Sequence, residues 1–582
     1  MLVYGDAPRC EDPRRKLVEL AEALRCLADL PPGLDRHAAL VDALIEAGEL
    51  AQGIADADFA DRGMDELGAP APEAAMALLG RVAREVCLSW DTGFAQLGPV
   101  PEAELAALAA LALPEATRSR RAEGFAYYAL YPEAYALAAA SLPAARPMRV
   151  IGLRSIGATL AAMVAARLGA VPSRTLRPVG HPFRRELAVG ERLAAGLLSS
   201  ATARFAVVDE GPGLSGSSFG AVMAFLEDRG VPLSRIHLLP GHGGEPGPQA
   251  CPALRARWAR VQRHPASFED LLLHAARPEH RLEGWAAELL GSPDGPLEDL
   301  AGGTWRRLHG GEPPIHPYME RRKFLFRRGG SAWLLKFAGL GRHGAAQAER
   351  ARRLHAAGFT PEVAGFRHGF LVERWMGEAR PLDPARFDRD RLVAHLGRYL
   401  AFRARHLPAA PEGGASAEAL WQMARHNAAE ALGEALASRL DGWKPELSSL
   451  EARMRRVWTD NRLHAWEWLV LPDGRLLKTD AVDHAAAHDL IGCQDIAWDV
   501  AGAAVELGLS ATERERLRAL VEAEAAREVD PALLAFLTPC YLAFQLGYHA
   551  MAADASSEVD AARARRAADR YAEGLREVLG FD

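Results

Sequence analysis

The chain has 582 residues, of which 49% are hydrophobic and 25% charged, with a formal net charge of −7. That balance is that of a soluble globular protein and excludes a general nucleic-acid binder. The length exceeds what one hydrophobic core serves, so three or four folding units are expected. Six scattered cysteines form no CxxC pair, so neither a disulfide framework nor a zinc site is indicated. No apolar run approaches the roughly 18–20 residues that span a bilayer. The opening MLVYGDAPRCEDPRRK has no apolar signal region. The expectation is a cytoplasmic protein without membrane or nucleic-acid partners. Lysine occurs only at Lys16, Lys323, Lys336, Lys444 and Lys478. A lysine placed where chemistry needs a compact point charge is therefore informative.

Taken in order, residues 1–118 carry apolar positions at helical spacing, as in KLVELAEALRCLADL, and no chemical motif. They predict a helical region serving as a cap or an interface. The aromatics of EGFAYYALYPEAY (123–135) are candidates to stack on a planar substrate, with core packing the plainer alternative. From 119 to 285 the short apolar runs MRVIGL, FAVVDEG and IHLLPG are interleaved with helical patterns, which predicts βαβ units and a parallel sheet. Residues 286–312 read as a linker. From 313 to 582 a β-hairpin, KFLFRRGGSAWLLKF, precedes long helical stretches. The fold class expected is multidomain α/β: a helical N-terminal region, a parallel-sheet domain, then a bilobal α+β domain.

In the middle region, Asp209 and Glu210 close a buried strand. They are followed by Gly211-Pro212-Gly213-Leu214-Ser215-Gly216-Ser217-Ser218, where a helix starts. Backbone N–H groups and hydroxyls at such a turn face an anion, and the two carboxylates can accept from ribose hydroxyls. The segment resembles the ribose-5-phosphate loop of type I phosphoribosyltransferases, with one additional residue and serine in place of threonine. The resemblance implies 5-phosphoribosyl-1-diphosphate as co-substrate. It also implies a diphosphate loop at Arg154, Ser155 and Gly157, and a flap carrying Arg177, Arg184 and Arg185 over the leaving diphosphate.

After residue 313, Lys336 lies in the strand WLLKF, Glu349 on the next helix, and Glu373 in the strand Phe370–Arg374. They are followed by WTDNRLHAWEW, KTDAVDH and DIAWD. These elements resemble the aminoglycoside and choline phosphotransferases, which are protein-kinase-like. The resemblance implies that Lys336 holds ATP phosphates, Glu349 orients it, and Glu373 lies at the adenine hinge. It implies Asp460 as the catalytic base and Asp480 as a Mg²⁺ ligand. Glu467 falls nearest the slot where the family has a metal-binding asparagine, and the usual His-Gly before the catalytic Asp is Trp458-Thr459.

Three functions stay open on these residues. One is a bifunctional transferase, joining phosphoribosyl transfer to phosphorylation of a small-molecule hydroxyl. Another is an ATP-dependent kinase or pseudokinase regulated by a nucleotide or phosphoribosyl ligand in a non-catalytic middle domain. The third is an interaction protein. The partners expected are small-molecule substrates, with a homo-oligomer or enzymes of the same pathway as protein partners.

Overall fold

The computed structural model describes residues 1–5, 9–143, 147–170 and 172–580. The N-terminal helices Pro13–Cys26, Leu34–Arg62 and Pro70–Asp91 pack against one another. The long helix Leu34–Arg62 is buried on most of its circumference, because it is clasped between the other helices and the parallel sheet's helical layer. A short ribbon closes this region: β1 (Arg9–Glu11) pairs with β2 (Thr117–Ser119).

The middle region contains an all-parallel sheet of β3 (Met148–Leu153), β4 (Arg174–Leu176), β7 (Arg204–Val208), β8 (Ile236–Leu239) and β9 (Gln262–Arg263), in the order β4-β3-β7-β8-β9. Between β4 and β7 rises an antiparallel hairpin, β5 (Pro178–His181) and β6 (Arg184–Leu187). Side chains alternate across the sheet. Val150, Ala206 and Val208 face helix Gly157–Leu168, whereas Ile151, Val207 and Leu238 face helix Ser217–Glu227 and Trp258. Strand order reverses between β3 and β7, so the crevice beyond their carboxyl ends is where such sheets bind ligands.

A second, antiparallel sheet has the order β10-β11-β12-β14-β13: β10 (Glu298–Asp299), β11 (Lys323–Arg328), β12 (Ser331–Phe337), β13 (Val363–Arg367) and β14 (Phe370–Arg374). The anticipated hairpin is β11–β12, with Lys323 opposite Lys336. Residues 298–299, within the segment read as linker, instead supply its first strand, because Glu298 and Asp299 pair with Leu325 and Phe324. A helical lobe follows, with a small sheet of β15 (Arg380–Pro381), β17 (Trp468–Val470) and β18 (Leu476–Lys478) at its upper edge. There β16 (Arg456–Val457) pairs with β19 (Gln494–Asp495).

One contiguous apolar core joins the N-terminal helices, one face of the parallel sheet, and Phe324, Phe326, Phe337 and Phe370 of the antiparallel sheet. The aromatics of 123–135 belong largely to it. Tyr131 and Tyr135 are fully buried, donating to the carbonyls of His368 (2.7 Å) and Asp209 (2.9 Å). Core packing, not substrate stacking, therefore accounts for these two rings.

The helical lobe corrects the reading of apolar runs. Helix Pro531–Ala555 is long and apolar enough to cross a membrane by length and composition. In this fold 72% of its apolar window is buried against the neighbouring helices.

Candidate functional site

Between the antiparallel sheet and the helical lobe lies a cavity of about 180 Å³. Lys336 sits on its sheet side and is buried. Its Nζ is 2.7 Å from Asp480 Oδ1, 2.5 Å from Asp483 Oδ2 and 3.8 Å from Glu373 Oε2. Burial alone would lower the lysine's pKa, but Asp480, Asp483 and Glu373 raise it well above the ordinary value. The site therefore holds a fixed cation. Burial likewise opposes ionisation of Asp480, yet Lys336 and Lys323 hold its carboxyl well below the usual range. Glu373 behaves oppositely: burial pushes it up to about 7 despite Lys336. Asp480 adopts φ 54°, a left-handed conformation costly for a non-glycine residue and common at functional turns.

Sequence reasoning placed Glu349 beside Lys336, and here the structure differs. Glu349 lies on the exposed face of helix Gly341–Ala356 and pairs with Arg352 and Arg353. The face of that helix turned toward the core carries Gln347, Ala348 and Arg350. The acidic partners of Lys336 are Asp480 and Asp483, from the loop after β18, with Glu373 of β14 farther off. The only sequence signal for Asp483 is its position three residues beyond Asp480.

Asp460 is corrected as well. Its side chain is fully buried and is not among the cavity's lining residues. Oδ2 accepts from Tyr399 Oη (2.5 Å) and Arg403 Nη2 (3.2 Å), and Lys478 Nζ lies 3.3 Å from Oδ1. Asp499 accepts from the backbone N–H groups of Asp460 (2.7 Å) and Asn461 (2.9 Å). This clamp, with Asn461 at φ 67°, turns the next residues toward the cavity. The loop residues that line the wall are Arg462, His464, Trp466 and Glu467. Arg462 is held by Asp489 at 3.1 Å.

Glu467 does face the cavity. Lys478 Nζ (2.7 Å) and His484 Nε2 (3.2 Å) bind its two oxygens. Burial opposes ionisation, but Lys478 and His484 hold its pKa at about 2. Asp480 and Glu467 thus present ionised oxygen donors to one cavity, the donor type Mg²⁺ takes. Asp460, Glu467 and His484 also place ligand atoms within 4.8 Å of one another.

In the parallel sheet, Asp209 ends β7, and Gly216 (φ 64°) turns the chain into helix Ser217–Glu227. Gly157 opens the facing helix. A Cβ there would lie 2.8 Å from the Val208 carbonyl, so the close approach of helix and strand requires glycine. These two loops meet at the switch point between β3 and β7. The predicted arginines do not converge there. Arg154 is buried and spent on Asp65, on Asp56 (3.0 Å) and on Thr175 (3.2 Å). Arg177 leans 3.3 Å from Asp56, Arg185 donates to the carbonyl of Gly180 (2.8 Å), and Arg184 is exposed. The β5–β6 hairpin does fold over the turn: the Pro182 carbonyl accepts from Ser217 Oγ (2.8 Å) and Ser215 Oγ (3.3 Å). Ser155 and Ser218 stand half-buried beside these loops, and Gly213 is exposed on the turn.

Burial pushes Asp209 up to about 7. Burial, helped by Glu123 and Asp209, pushes Glu210 up to about 8. Both folded-state values lie above those of an unfolded carboxyl, so the folded chain binds more protons and loses stability as pH rises from about 4 to 8. The double variant Asp209→Asn/Glu210→Gln is expected to flatten that decline. Urea midpoints at pH 5 and pH 8 measure it, and an undiminished decline in the variant would contradict the assignment.

No protein-family model matches the chain, and no curated protein matches it. Solved structures do. The choline kinase LicA from Streptococcus pneumoniae is 15% identical, covering 43% of this chain and 89% of its own, with a TM-score of 0.30. A choline/ethanolamine kinase family protein from Mesorhizobium loti is 20% identical, with 50% and 90% covered and a TM-score of 0.33. A spectinomycin phosphotransferase bound to ADP and spectinomycin is 10% identical, with 50% and 93% covered and a TM-score of 0.33.

Proposed function

We propose that the chain is a transferase of the small-molecule phosphotransferase class, with ATP and Mg²⁺ in the cavity between the antiparallel sheet and the helical lobe. The observation that carries this reading is the buried Lys336–Asp480–Asp483 cluster on the wall of that cavity. A lysine fixed as a cation beside ionised carboxylates offers one contact for phosphate oxygens and another for a hard metal. Asp480 and Glu467 would hold the metal, which when bound neutralises phosphate charge. Lys336 would exchange its carboxylate partners for phosphate oxygens. Arg462 puts a second permanent cation on the opposing loop. Phosphoryl transfer depends mainly on positioning and charge neutralisation, so a buried Asp460 does not preclude it. His484, half-buried and paired with Glu467, also lines this wall.

Isothermal titration with ATP and Mg²⁺ tests the reading. Binding is expected in the natural chain and a loss of about tenfold or more in Asp480→Asn, which removes a charge facing the metal. Absence of ATP binding to the natural chain would refute it. The inward-turned Asp460 favours one alternative, a nucleotide-binding pseudokinase. Binding without phosphate release or transfer across hydroxyl acceptors would establish that alternative.

For the parallel-sheet region, the acidic pair, glycine turn and helix N-terminus at a switch point support a phosphoribosyl or nucleotide ligand, 5-phosphoribosyl-1-diphosphate among them. Arg154 is already neutralised by Asp56 and Asp65, and Arg177 leans on Asp56, which favours binding over transfer.

A further inference from the structure

Away from both sites, His37, Glu133 and His368 meet in the shared core. His37 comes from the first turn of helix Leu34–Arg62, Glu133 from the start of helix Pro132–Ala139, and His368 from the turn between β13 and β14. Both imidazoles aim Nε2 at the same carboxylate oxygen: His37 Nε2 is 2.9 Å and His368 Nε2 2.8 Å from Glu133 Oε1. None of the three side chains is more than 1% exposed. The second oxygen, Glu133 Oε2, is buried without a hydrogen-bond partner. Among the described residues no lysine or arginine pairs with Glu133.

We propose that His37, Glu133 and His368 form a buried divalent-metal site, best suited to zinc, that fastens the N-terminal helices, the parallel-sheet region and the antiparallel sheet together.

A plain hydrogen-bond network explains the cluster poorly. It directs two donors at one oxygen and leaves the other bare, and a buried polar atom without a partner is costly. It also leaves a carboxylate in the core with no lysine or arginine beside it, only the two imidazoles. A divalent ion accepts the two imidazole lone pairs and the carboxylate together. Two histidines and one glutamate form a common zinc donor set, with one coordination position open. Supports for the ligands are present. His37 Nδ1 lies 3.0 Å from Ser89 Oγ, and the Tyr131 hydroxyl holds the backbone of His368 at 2.7 Å. The Ser89 contact at Nδ1 leaves His37 Nε2 to face the metal. The open position has space beside it, because Glu133 also borders a cavity of about 250 Å³ shared with Cys87, Trp90, Met163 and His280. The ligands lie at positions 37, 133 and 368, so no local spacing reveals them, and the absence of CxxC pairs says nothing about such a site.

Metal analysis of the full chain by plasma mass spectrometry, after dialysis against chelator, tests the proposal. About one zinc per chain is expected, retained under native conditions and released only on unfolding. Glu133→Gln and His368→Gln should each lose it, whereas His484→Gln, at the separate cleft cluster, should keep it. Glu133→Gln preserves shape and hydrogen bonding, so its loss of metal separates coordination from packing. Should either core variant fail to fold, His484→Gln refolded with Co²⁺ in place of zinc reads the core site directly, through the visible bands of a tetrahedral Co²⁺ centre. A natural chain that stays metal-free after refolding in zinc overturns the proposal. So do core variants that retain the metal, or a cobalt-refolded protein without such bands.

Discussion

Replacing Lys336 with methionine is expected to weaken ATP binding about a hundredfold or more, equivalent to ~2.7 kcal/mol. The side chain is buried and is the cation that Asp480, Asp483 and Glu373 share. Without it Asp480, Asp483 and Glu373 lose the cation they converge on, and that part of the wall repels a polyphosphate. The variant should also unfold more easily without ligand, since removing one member of a buried ionic cluster leaves uncompensated charge. Lys336→Arg should not restore binding, because a planar fork cannot replace a point charge held by three converging carboxylates. Titration calorimetry with ATP and Mg²⁺, alongside thermal unfolding without nucleotide, separates the two effects. Affinity within twofold of the natural chain would remove Lys336 from the binding site.

The second large effect is structural. Arg403 donates to Asp460, to the Tyr399 hydroxyl and to the backbone carbonyls of Trp458 and Ala481, and its side chain is buried. Arg403→Met should destabilise the helical lobe by about 3–5 kcal/mol, the usual cost of stranding one partner of a buried pair. Adding Asp460→Leu should recover part of that loss, because the stranded charge is then gone. Denaturant unfolding of the two single variants and the double variant gives the coupling. If Asp460→Asn instead left stability unchanged and removed only phosphate transfer, Asp460 would be the catalytic base and not a structural anchor.

The features legible in the sequence are those set by local chemistry. Short apolar runs interleaved with helical patterns pointed to β3, β7 and β8, and the β11–β12 hairpin followed from a Gly-Gly turn between two apolar segments. The rarity of lysine singled out Lys336, and Asp480 followed from the resemblance to the phosphotransferases. Contacts made between segments distant in sequence were not legible. Arg154 has the right position for a diphosphate loop, but Asp56 and Asp65, some ninety residues earlier, neutralise it. Glu349 sits one residue away from the inward stripe of its helix, and sequence alone does not fix that helical phase. Asp460 matches a catalytic position in the linear pattern, yet Tyr399 and Arg403 on a different helix draw it inward. The buried zinc ligands lie beyond any pattern, as they belong to three separate segments.

The continuous core also bears on how the chain can be divided. Phe324, Phe326, Phe337 and Phe370 of the antiparallel sheet are covered by residues from the first half of the chain. A fragment starting at residue 313 would carry that apolar face into water and invite aggregation. The same fragment would lack β10 and leave β11 with a bare edge. The two halves are thus not interchangeable modules on a string. Recombination that moved one without the other would have to rebuild an entire sheet face.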